Sequence, residues 1–199
     1  MIWNAVTDLG DSAVMAPMAL IVAAWLLASR SWRGAVWWLA LFGLAALSVV
    51  CTKIAYLGWG IGLRSFDFTG ISGHSMTAAS TLTVAGYLTG ARYSKFWPVV
   101  GVVFGGVLAL LIAISRVILG FHSVAEVVIG CALGFSVAMA SIGIMRANPR
   151  VVAAPSVFVL MLLTLVITVH GRRAPTEPLI TKIALYLSGR STPFVRVDN

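Results

Sequence analysis

Three short polar segments in an otherwise apolar chain carry side chains suited to phosphate chemistry. The first contains Lys53 and Arg64, the second spans residues 72–75, and the third spans residues 115–126. Together they contribute three cations, two imidazoles and one carboxylate. Cations bind a phosphate and stabilise the charge of its transition state, while imidazoles act as nucleophiles or proton donors. The three segments therefore predict a site that binds a phosphate group and breaks one of its bonds.

The third segment has the most informative spacing. Gly120 is expected to end one helix, and the next helix is expected to begin near Phe121, which places His122 and Glu126 on one helical face. A carboxylate there can accept a hydrogen bond from one imidazole nitrogen and leave the other as a nucleophile. The alternative is a helix-terminal pair that only satisfies its own hydrogen bonds, but ionisable residues at membrane depth are functional by default.

The second segment, Ser72-Gly73-His74-Ser75, is expected to open a helix. Unpaired backbone N–H groups at a helix start, together with the helix dipole, attract an anion. Ser72 and Ser75 are also common helix-capping residues, so simple capping competes with this interpretation. Capping does not require His74, which could protonate the leaving oxygen of a phosphate ester as a general acid.

The first segment supplies cations. Lys53 is expected at the end of an apolar span, with Arg64 in the loop that follows. The guanidinium groups of Arg64 and Arg116 suit bidentate phosphate contacts, whereas Lys53 would act as a compact point charge. Any one of these cations could instead extend from the membrane interface to water, but three of them beside the same histidines favour a shared anionic ligand.

The elements that position these residues are predicted to be membrane helices. The chain is 60% hydrophobic and 10% charged, with a mean hydropathy of +0.99, which excludes an ordinary soluble domain. A membrane-spanning helix needs about 20 apolar residues and satisfies its own backbone hydrogen bonds. We therefore expect an all-α bundle of six transmembrane helices. The six charge-free intervals are 12–29, 34–52, 68–91, 96–115, 127–145 and 151–171.

Two regions are expected along the chain. Residues 1–170 would form a single membrane-embedded domain, and residues 171–199 a basic C-terminal tail. Within the tail, residues 179–187 could form a short interfacial helix. Oligomeric state is not indicated by any of these patterns.

Basic residues predict the orientation. Every second loop carries a pair, which places those loops in the cytoplasm under the positive-inside rule. The pairs are Arg30 and Arg33, Arg92 and Lys95, and Arg146 and Arg150. The three polar segments and both termini would then lie on the outer, periplasmic side of a bacterial inner membrane. Because the loop pairs account for much of the net charge of +8, we expect no nucleic-acid partner.

On these residues the sequence resembles the type 2 phosphatidic acid phosphatase superfamily, which also includes vanadium haloperoxidases. The family pattern is Lys-x6-Arg-Pro, then Pro-Ser-Gly-His, then Ser-Arg-x5-His-x3-Asp. The third motif matches in spacing, with Glu126 in place of Asp, and the second matches except that Ile71 replaces Pro. In the first, ten residues rather than six separate Lys53 from Arg64, and Ser65 replaces Pro. The resemblance covers residues 50–145.

The resemblance implies a role for each matching residue. His122 would be the nucleophile that becomes a phosphohistidine, Glu126 would orient it, and His74 would be the acid–base partner. The phosphate would be held by Lys53, Arg64, Ser72, Gly73 and Arg116. No metal or other cofactor is implied.

A phosphorylated membrane lipid is the expected substrate. The resemblance suggests undecaprenyl diphosphate, phosphatidylglycerophosphate, phosphatidic acid or a lipid A phosphate. A phosphohistidine could also pass its phosphoryl group to another lipid, so a phosphotransferase is the nearest alternative. A transporter with an anion path and a catalytically inactive family member are the alternatives from other classes.

Overall fold

The computed structural model describes residues 2–91, 93, 95–147, 155–169, 171 and 174–196. Within these residues the fold is all-α, as predicted from the composition. The described residues form eight α-helices: α1 (Ile2–Leu9), α2 (Ser12–Ala28), α3 (Trp32–Trp59), α4 (Gly73–Gly90), α5 (Trp97–Ile118), α6 (Val124–Ala147), α7 (Pro155–Val169) and α8 (Thr176–Ser188). A 3₁₀ turn, Arg64–Phe66, lies between α3 and α4.

The chain is a multi-pass membrane protein by the length and apolarity of its helices. Four segments of the described chain are long and apolar enough to cross a membrane: Ile2–Ala28, Trp32–Trp59, Trp97–Ile118 and Val124–Ala147. Helix α7 is apolar but has only 15 residues. Helix α4 is not among the candidate spans, so the predicted count of six is not confirmed.

Helix α4 lies at the centre of the bundle, which explains its modest apolarity. Its Ser, Thr and Ala side chains are largely buried against neighbouring helices. A Cβ added to Gly86 of α4 would lie 2.0 Å from the carbonyl oxygen of Gly101 in α5. A Cβ added to Gly134 of α6 would lie 2.4 Å from the carbonyl oxygen of Met76. Small residues thus bring three helix backbones into direct contact, as is common in membrane bundles.

Helices α2, α3 and α7 complete the bundle through larger side chains. The indole nitrogen of buried Trp38 donates a 2.9 Å hydrogen bond to the carbonyl oxygen of Ala19. The rings of Trp25 and Phe158 pack with centroids 5.1 Å apart. These contacts join α3 and α7 to α2, and the buried side chains of the three helices form one continuous apolar core with those of α4 and α6.

Two helix boundaries differ from those expected. Helix α3 continues past Lys53 to Trp59, because no residue stops it before Gly60, which caps it at φ +70°. Helix α6 begins at Val124, later than the start near Phe121 that the sequence suggested. The break expected at Gly120 is confirmed, since this residue has φ +69° just beyond the end of α5.

The C-terminal segment packs back onto the bundle. Helix α8 lies along α3 with Ile180 and Ala184 buried. Beyond it, the backbone N–H of Phe194 donates a 2.9 Å hydrogen bond to the carbonyl oxygen of Leu57. The helix covers the residues 179–187 proposed as helical, while its interfacial location and the domain boundary at residue 170 stay predictions.

From α2 onwards successive helices alternate in direction, so the ends that carry the polar segments meet on one side, where Asp11 lies beside His74 and Ser72 contacts Glu126. These are the starts of α2, α4 and α6 and the ends of α3 and α5. By the same alternation Arg30, Arg33, Lys95 and Arg146 lie towards the opposite end. Arg92 and Arg150, the other two residues of the basic pairs, lie outside the described residues.

Candidate active site

Glu126 is the centre of the hydrogen-bond network at the polar end of the bundle. Its side chain is 0% exposed, and both carboxylate oxygens are occupied. Oε2 accepts hydrogen bonds from His122 Nδ1 at 2.6 Å and from the Ser123 backbone N–H at 3.2 Å. Oε1 accepts from the N–H and the hydroxyl of Thr69, both at 2.6 Å, and from Arg196 Nη2 at 2.8 Å. A buried carboxylate needs such compensation to stay ionised.

Glu126 also determines where α6 begins. Its backbone N–H donates to Ser123 Oγ at 3.3 Å while its carboxylate accepts from the Ser123 N–H, which is a capping box. His122 therefore precedes the helix, and the expectation that His122 and Glu126 share a helical face is wrong. The Ser-x-x-Glu pattern that signals this cap was visible in the sequence.

The His122 imidazole is held in one orientation and kept neutral. Its Nδ1 faces the Glu126 carboxylate, so Nδ1 carries the proton and Nε2 carries the lone pair. Burial lowers the pKa of His122, and the charges of Lys53 and Arg116 lower it further, against the opposing effect of Glu126. The ring is therefore neutral at pH 7, as a nucleophile must be.

Two cavities open at this end of the bundle. The first has a volume of about 680 Å³ and is lined by Gly73 and His74 among others. The second, of about 520 Å³, is lined by His122 and Arg196. Four residues line both cavities: Lys53, Arg116, Phe121 and Glu177. The two histidines thus face separate cavities that meet at a pair of cations.

These two cations are positioned by different contacts. The Arg116 guanidinium lies 4.3 Å above the centroid of the Phe121 ring and donates a 3.0 Å hydrogen bond to Thr7 Oγ1 of α1. Lys53 Nζ forms an ion pair with the carboxylate of Glu177 in the first turn of α8, whose side chain is 64% exposed. An anion that entered the junction could replace this exposed carboxylate at Lys53.

His74 lies in the first turn of α4, near the start of α2. Its Nε2 is 3.9 Å from Asp11 Oδ2, and the two side chains are 21% and 12% exposed. Asp11 caps α2 by accepting from the Ala13 N–H at 2.8 Å, and the same oxygen accepts from the Ala174 N–H at 2.9 Å. Asp11 is therefore fixed by the backbone, while His74 keeps access to the first cavity.

Comparison with known proteins identifies the family. The family model described as the PAP2 superfamily matches residues 59–150. A curated protein of Klebsiella pneumoniae, described as an uncharacterized 22.5 kDa protein in the cps region, is 32% identical over 201 residues, which cover 98% of this chain and 96% of that protein. The chain belongs to the PAP2 superfamily. No solved structure matches it.

The PAP2 motif residues are only partly assembled around the cavities. His122, His74, Gly73, Lys53 and Arg116 line at least one cavity, and Glu126 contacts His122. Lys53 precedes the matched region, which begins at residue 59. Helix α3 nevertheless brings it to the junction.

Two residues of the PAP2 assignment lie away from the cavities. Ser72 is 0% exposed and caps α4, its hydroxyl accepting from the Ser75 N–H at 3.4 Å and its own N–H donating to the Glu126 carbonyl oxygen at 3.2 Å. This geometry matches the capping alternative. Arg64 is exposed in the 3₁₀ turn and lines neither cavity.

Several residues at this PAP2 site were missed by sequence reasoning. Among them, Asp11, Thr69, Glu177 and Arg196 contact the motif residues directly. Asp11 carried a local signal, because it stands just before an apolar helix, where Asp is a common cap. Arg196 carried none, since 70 residues separate it from Glu126.

Proposed function

We propose that this PAP2 protein hydrolyses the phosphomonoester or diphosphate head group of a membrane lipid through a phosphohistidine formed at His122. Membership of the PAP2 superfamily supports a phosphatase in general. The lipid, the intermediate and the roles of the residues are the specific parts of the proposal. No metal or cofactor is included.

The observation that carries the proposal is the 2.6 Å contact between His122 Nδ1 and Glu126 Oε2. It fixes the tautomer that leaves Nε2 available for attack, and the lowered pKa keeps that nitrogen unprotonated. When Nε2 bonds to phosphorus, the ring gains positive charge. The buried carboxylate of Glu126 stabilises this charge where water cannot.

The phosphate would bind where the two cavities meet. Lys53 and Arg116 line both cavities, so their charges can neutralise phosphoryl oxygens while His74 and His122 approach from different sides. Binding there requires the phosphate to take the place of the Glu177 carboxylate at Lys53. Because the Glu177 side chain is exposed, the released carboxylate is solvated by water and this exchange costs little free energy.

The reaction would take two steps. In the first, His122 Nε2 attacks phosphorus, the bond between phosphorus and the leaving oxygen breaks, and protonated His74 gives that oxygen its proton. In the second, His74 accepts a proton from water as the water oxygen attacks the phosphohistidine. The N–P bond breaks, inorganic phosphate leaves, and both histidines return to their starting states.

A lipid substrate is supported by the wall of the first cavity. Apolar side chains from α2, α3 and α8 line it beside the polar residues, and six of them are Ala16, Phe42, Ala46, Val49, Val50 and Ile180. An acyl or prenyl chain could occupy this wall while its head group reaches the cations.

The outer face of the membrane is the proposed location of the site. Arg30, Arg33, Lys95 and Arg146 lie towards the helix ends opposite to the cavities, as the positive-inside rule requires for a cytoplasmic side. This supports six crossings, with α4 spanning at the centre of the bundle and α7 at its edge, although neither is a candidate span by length and apolarity.

The experiment uses purified protein in lipid nanodiscs with phosphatidic acid, phosphatidylglycerophosphate, undecaprenyl diphosphate and lipid A, each tested for release of inorganic phosphate. Wild type is compared with His122→Ala and with Lys182→Gln, which changes an exposed cation of α8 that lines neither cavity. Vanadate, which mimics the transition state of phosphoryl transfer, should inhibit the wild type.

We expect release with at least one lipid, loss in His122→Ala and full activity in Lys182→Gln. Each protein is also incubated with a ³²P-labelled lipid and the reaction is quenched. Acid-labile radioactivity bound to the wild type but not to His122→Ala would identify the phosphohistidine. No release or transfer with any lipid, or undiminished release by His122→Ala, contradicts the proposal. Appearance of phosphate on a second lipid would make the protein a phosphotransferase.

A further inference from the structure

We propose that Arg196, near the end of the described chain, is a positioning residue that holds Glu126 in place and balances its charge. The inference rests on the proposed function for its catalytic meaning. It assigns to the C-terminal tail a part in the site that neither the family motifs nor the matched region contains.

The contacts of Arg196 converge on the site. Its Nη2 lies 2.8 Å from Glu126 Oε1 and 3.3 Å from both Thr69 Oγ1 and the carbonyl oxygen of Asp67, and its Nε lies 3.1 Å from Asp67 Oδ1. Its side chain is 26% exposed, whereas that of Glu126 is 0% exposed. One guanidinium thus joins the tail, the loop before α4 and the start of α6.

Charge balance explains why a cation is needed here. The Glu126 carboxylate is buried and ionised, and its other partner, His122, is neutral before the reaction begins. An unbalanced buried charge is costly. Arg196 supplies the opposite charge on Oε1, so that Oε2 stays directed at His122 Nδ1.

Arg196 provides a cation beside Glu126 and His122, where Arg64 of the first motif does not reach. Arg64 is exposed and lines neither cavity, while Arg196 lines the cavity of His122. Because Arg196 binds Asp67, it also holds the loop that follows Arg64 against Glu126. It acts on the reaction through Glu126 rather than through the phosphate.

The test is a pH titration of His122 in the intact protein. The chain has three histidines, so ¹⁵N-histidine NMR in nanodiscs gives few signals, and that of His122 is assigned by its loss in His122→Gln. The variants are Arg196→Gln, which removes the charge, Arg196→Lys, which keeps it, and Lys182→Gln, which removes an exposed charge from α8. The charged groups around the ring are Glu126, Lys53, Arg116 and Arg196, with Glu177 acting through Lys53.

We expect the His122 pKa to move upward in Arg196→Gln, because a nearby cation is lost and the negative charge of Glu126 is no longer balanced by it. Arg196→Lys should titrate close to wild type, and Lys182→Gln should match it. In lipid hydrolysis Arg196→Gln should lower kcat by about 10- to 100-fold, with KM little changed. The acid limb of kcat/KM should move upward with the His122 titration.

An unchanged His122 titration in Arg196→Gln overturns the inference, whether or not the protein hydrolyses lipids. A rise in KM with constant kcat also overturns it, because that pattern belongs to a direct phosphate ligand. A shifted titration in a protein that releases no phosphate would leave the positioning role intact and remove the proposed function instead.

Discussion

The protein contains two histidine–carboxylate pairs at one end of the bundle, and they are built differently. The contact between His122 Nδ1 and Glu126 Oε2 is 2.6 Å, and Glu126 is fully buried with five donors around it. His74 Nε2 is 3.9 Å from Asp11 Oδ2, and both side chains keep some exposure. The first pair has a short contact to a buried carboxylate and is called the rigid pair, whereas the second is wider and more exposed and is called the loose pair.

This difference suits the two proposed roles. A nucleophile must present one lone pair in one direction, so a short contact to a fixed carboxylate favours it. A proton donor must give a proton to a leaving oxygen and later accept one from water. Such a group gains from access to the cavity more than from a rigid partner. Four substitutions and one pH profile test whether the two pairs differ in this way.

Removal of His122 should have the largest effect. His122→Ala cannot form the phosphohistidine, so we expect kcat/KM to fall by about 10⁴-fold or more for every substrate. The measurement compares a lipid substrate with p-nitrophenyl phosphate, whose leaving group needs no protonation. Retention of activity on either substrate would show that another group attacks phosphorus.

Removal of His74 should have a large effect that depends on the leaving group. For lipids with an alkoxide leaving oxygen, His74→Ala should lose about 10²- to 10⁴-fold in kcat, the usual contribution of a general acid. For p-nitrophenyl phosphate the loss in the first chemical step should be much smaller. Equal losses in that first step on both substrates would argue against proton donation by His74.

Shortening Glu126 should weaken the rigid pair. Asp at this position cannot reach His122 and also keep the Thr69 and Arg196 contacts, since one methylene is missing. We expect Glu126→Asp to lower kcat by about 10²-fold, although Asp is the usual residue of the family motif. The measurements are the steady-state rate and the His122 titration. A wild-type kcat and an unchanged His122 pKa in Glu126→Asp would contradict the prediction.

Neutralising Asp11 should have a small effect on the loose pair. A partly exposed ion pair contributes about 1 kcal/mol or less, which corresponds to about fivefold in rate. Asp11→Asn keeps an oxygen that can accept from the Ala13 and Ala174 N–H groups, so the fold should be retained. A loss as large as that of His74→Ala would mean that the two pairs are energetically alike.

The mildest test is the pH dependence of the wild type. The pKa of His122 lies below the ordinary value of 6.5 because of burial and nearby cations. His122 is active when neutral, so activity is present above this pKa and lost as pH falls through it. We expect kcat/KM at pH 6.5 to exceed half of its plateau value, and a smaller fraction would contradict a lowered pKa.

The sequence predicted the local parts of this arrangement better than the distant ones. His122 and Glu126 are four residues apart, so their contact follows from local geometry, even though the helix start was placed too early. The capping pair that corrects this start involves Ser123 and Glu126. Glu126 both caps α6 and contacts His122, and the motif indicated only the second of these functions.

The contacts with the tail could not be read from the chain. Arg196 meets Glu126 only because α8 folds back along α3 and the following segment crosses its end. No periodicity or motif links residues so far apart. Likewise the burial of α4 in the middle of the bundle, with glycines in place of larger side chains, is a packing result that hydropathy does not express.

The glycine contacts of α4 also restrict traffic through the molecule. Where the Gly86 and Gly101 backbones touch, and where Gly134 meets Met76, there is no gap through which a hydrocarbon chain could slide. A lipid bound as proposed would therefore not pass between α4 and α5 or between α4 and α6, and the apolar wall on the side of α2, α3 and α8 offers it a route to the first cavity. If the dephosphorylated lipid leaves by the same route, the departing product and the next substrate compete for one passage.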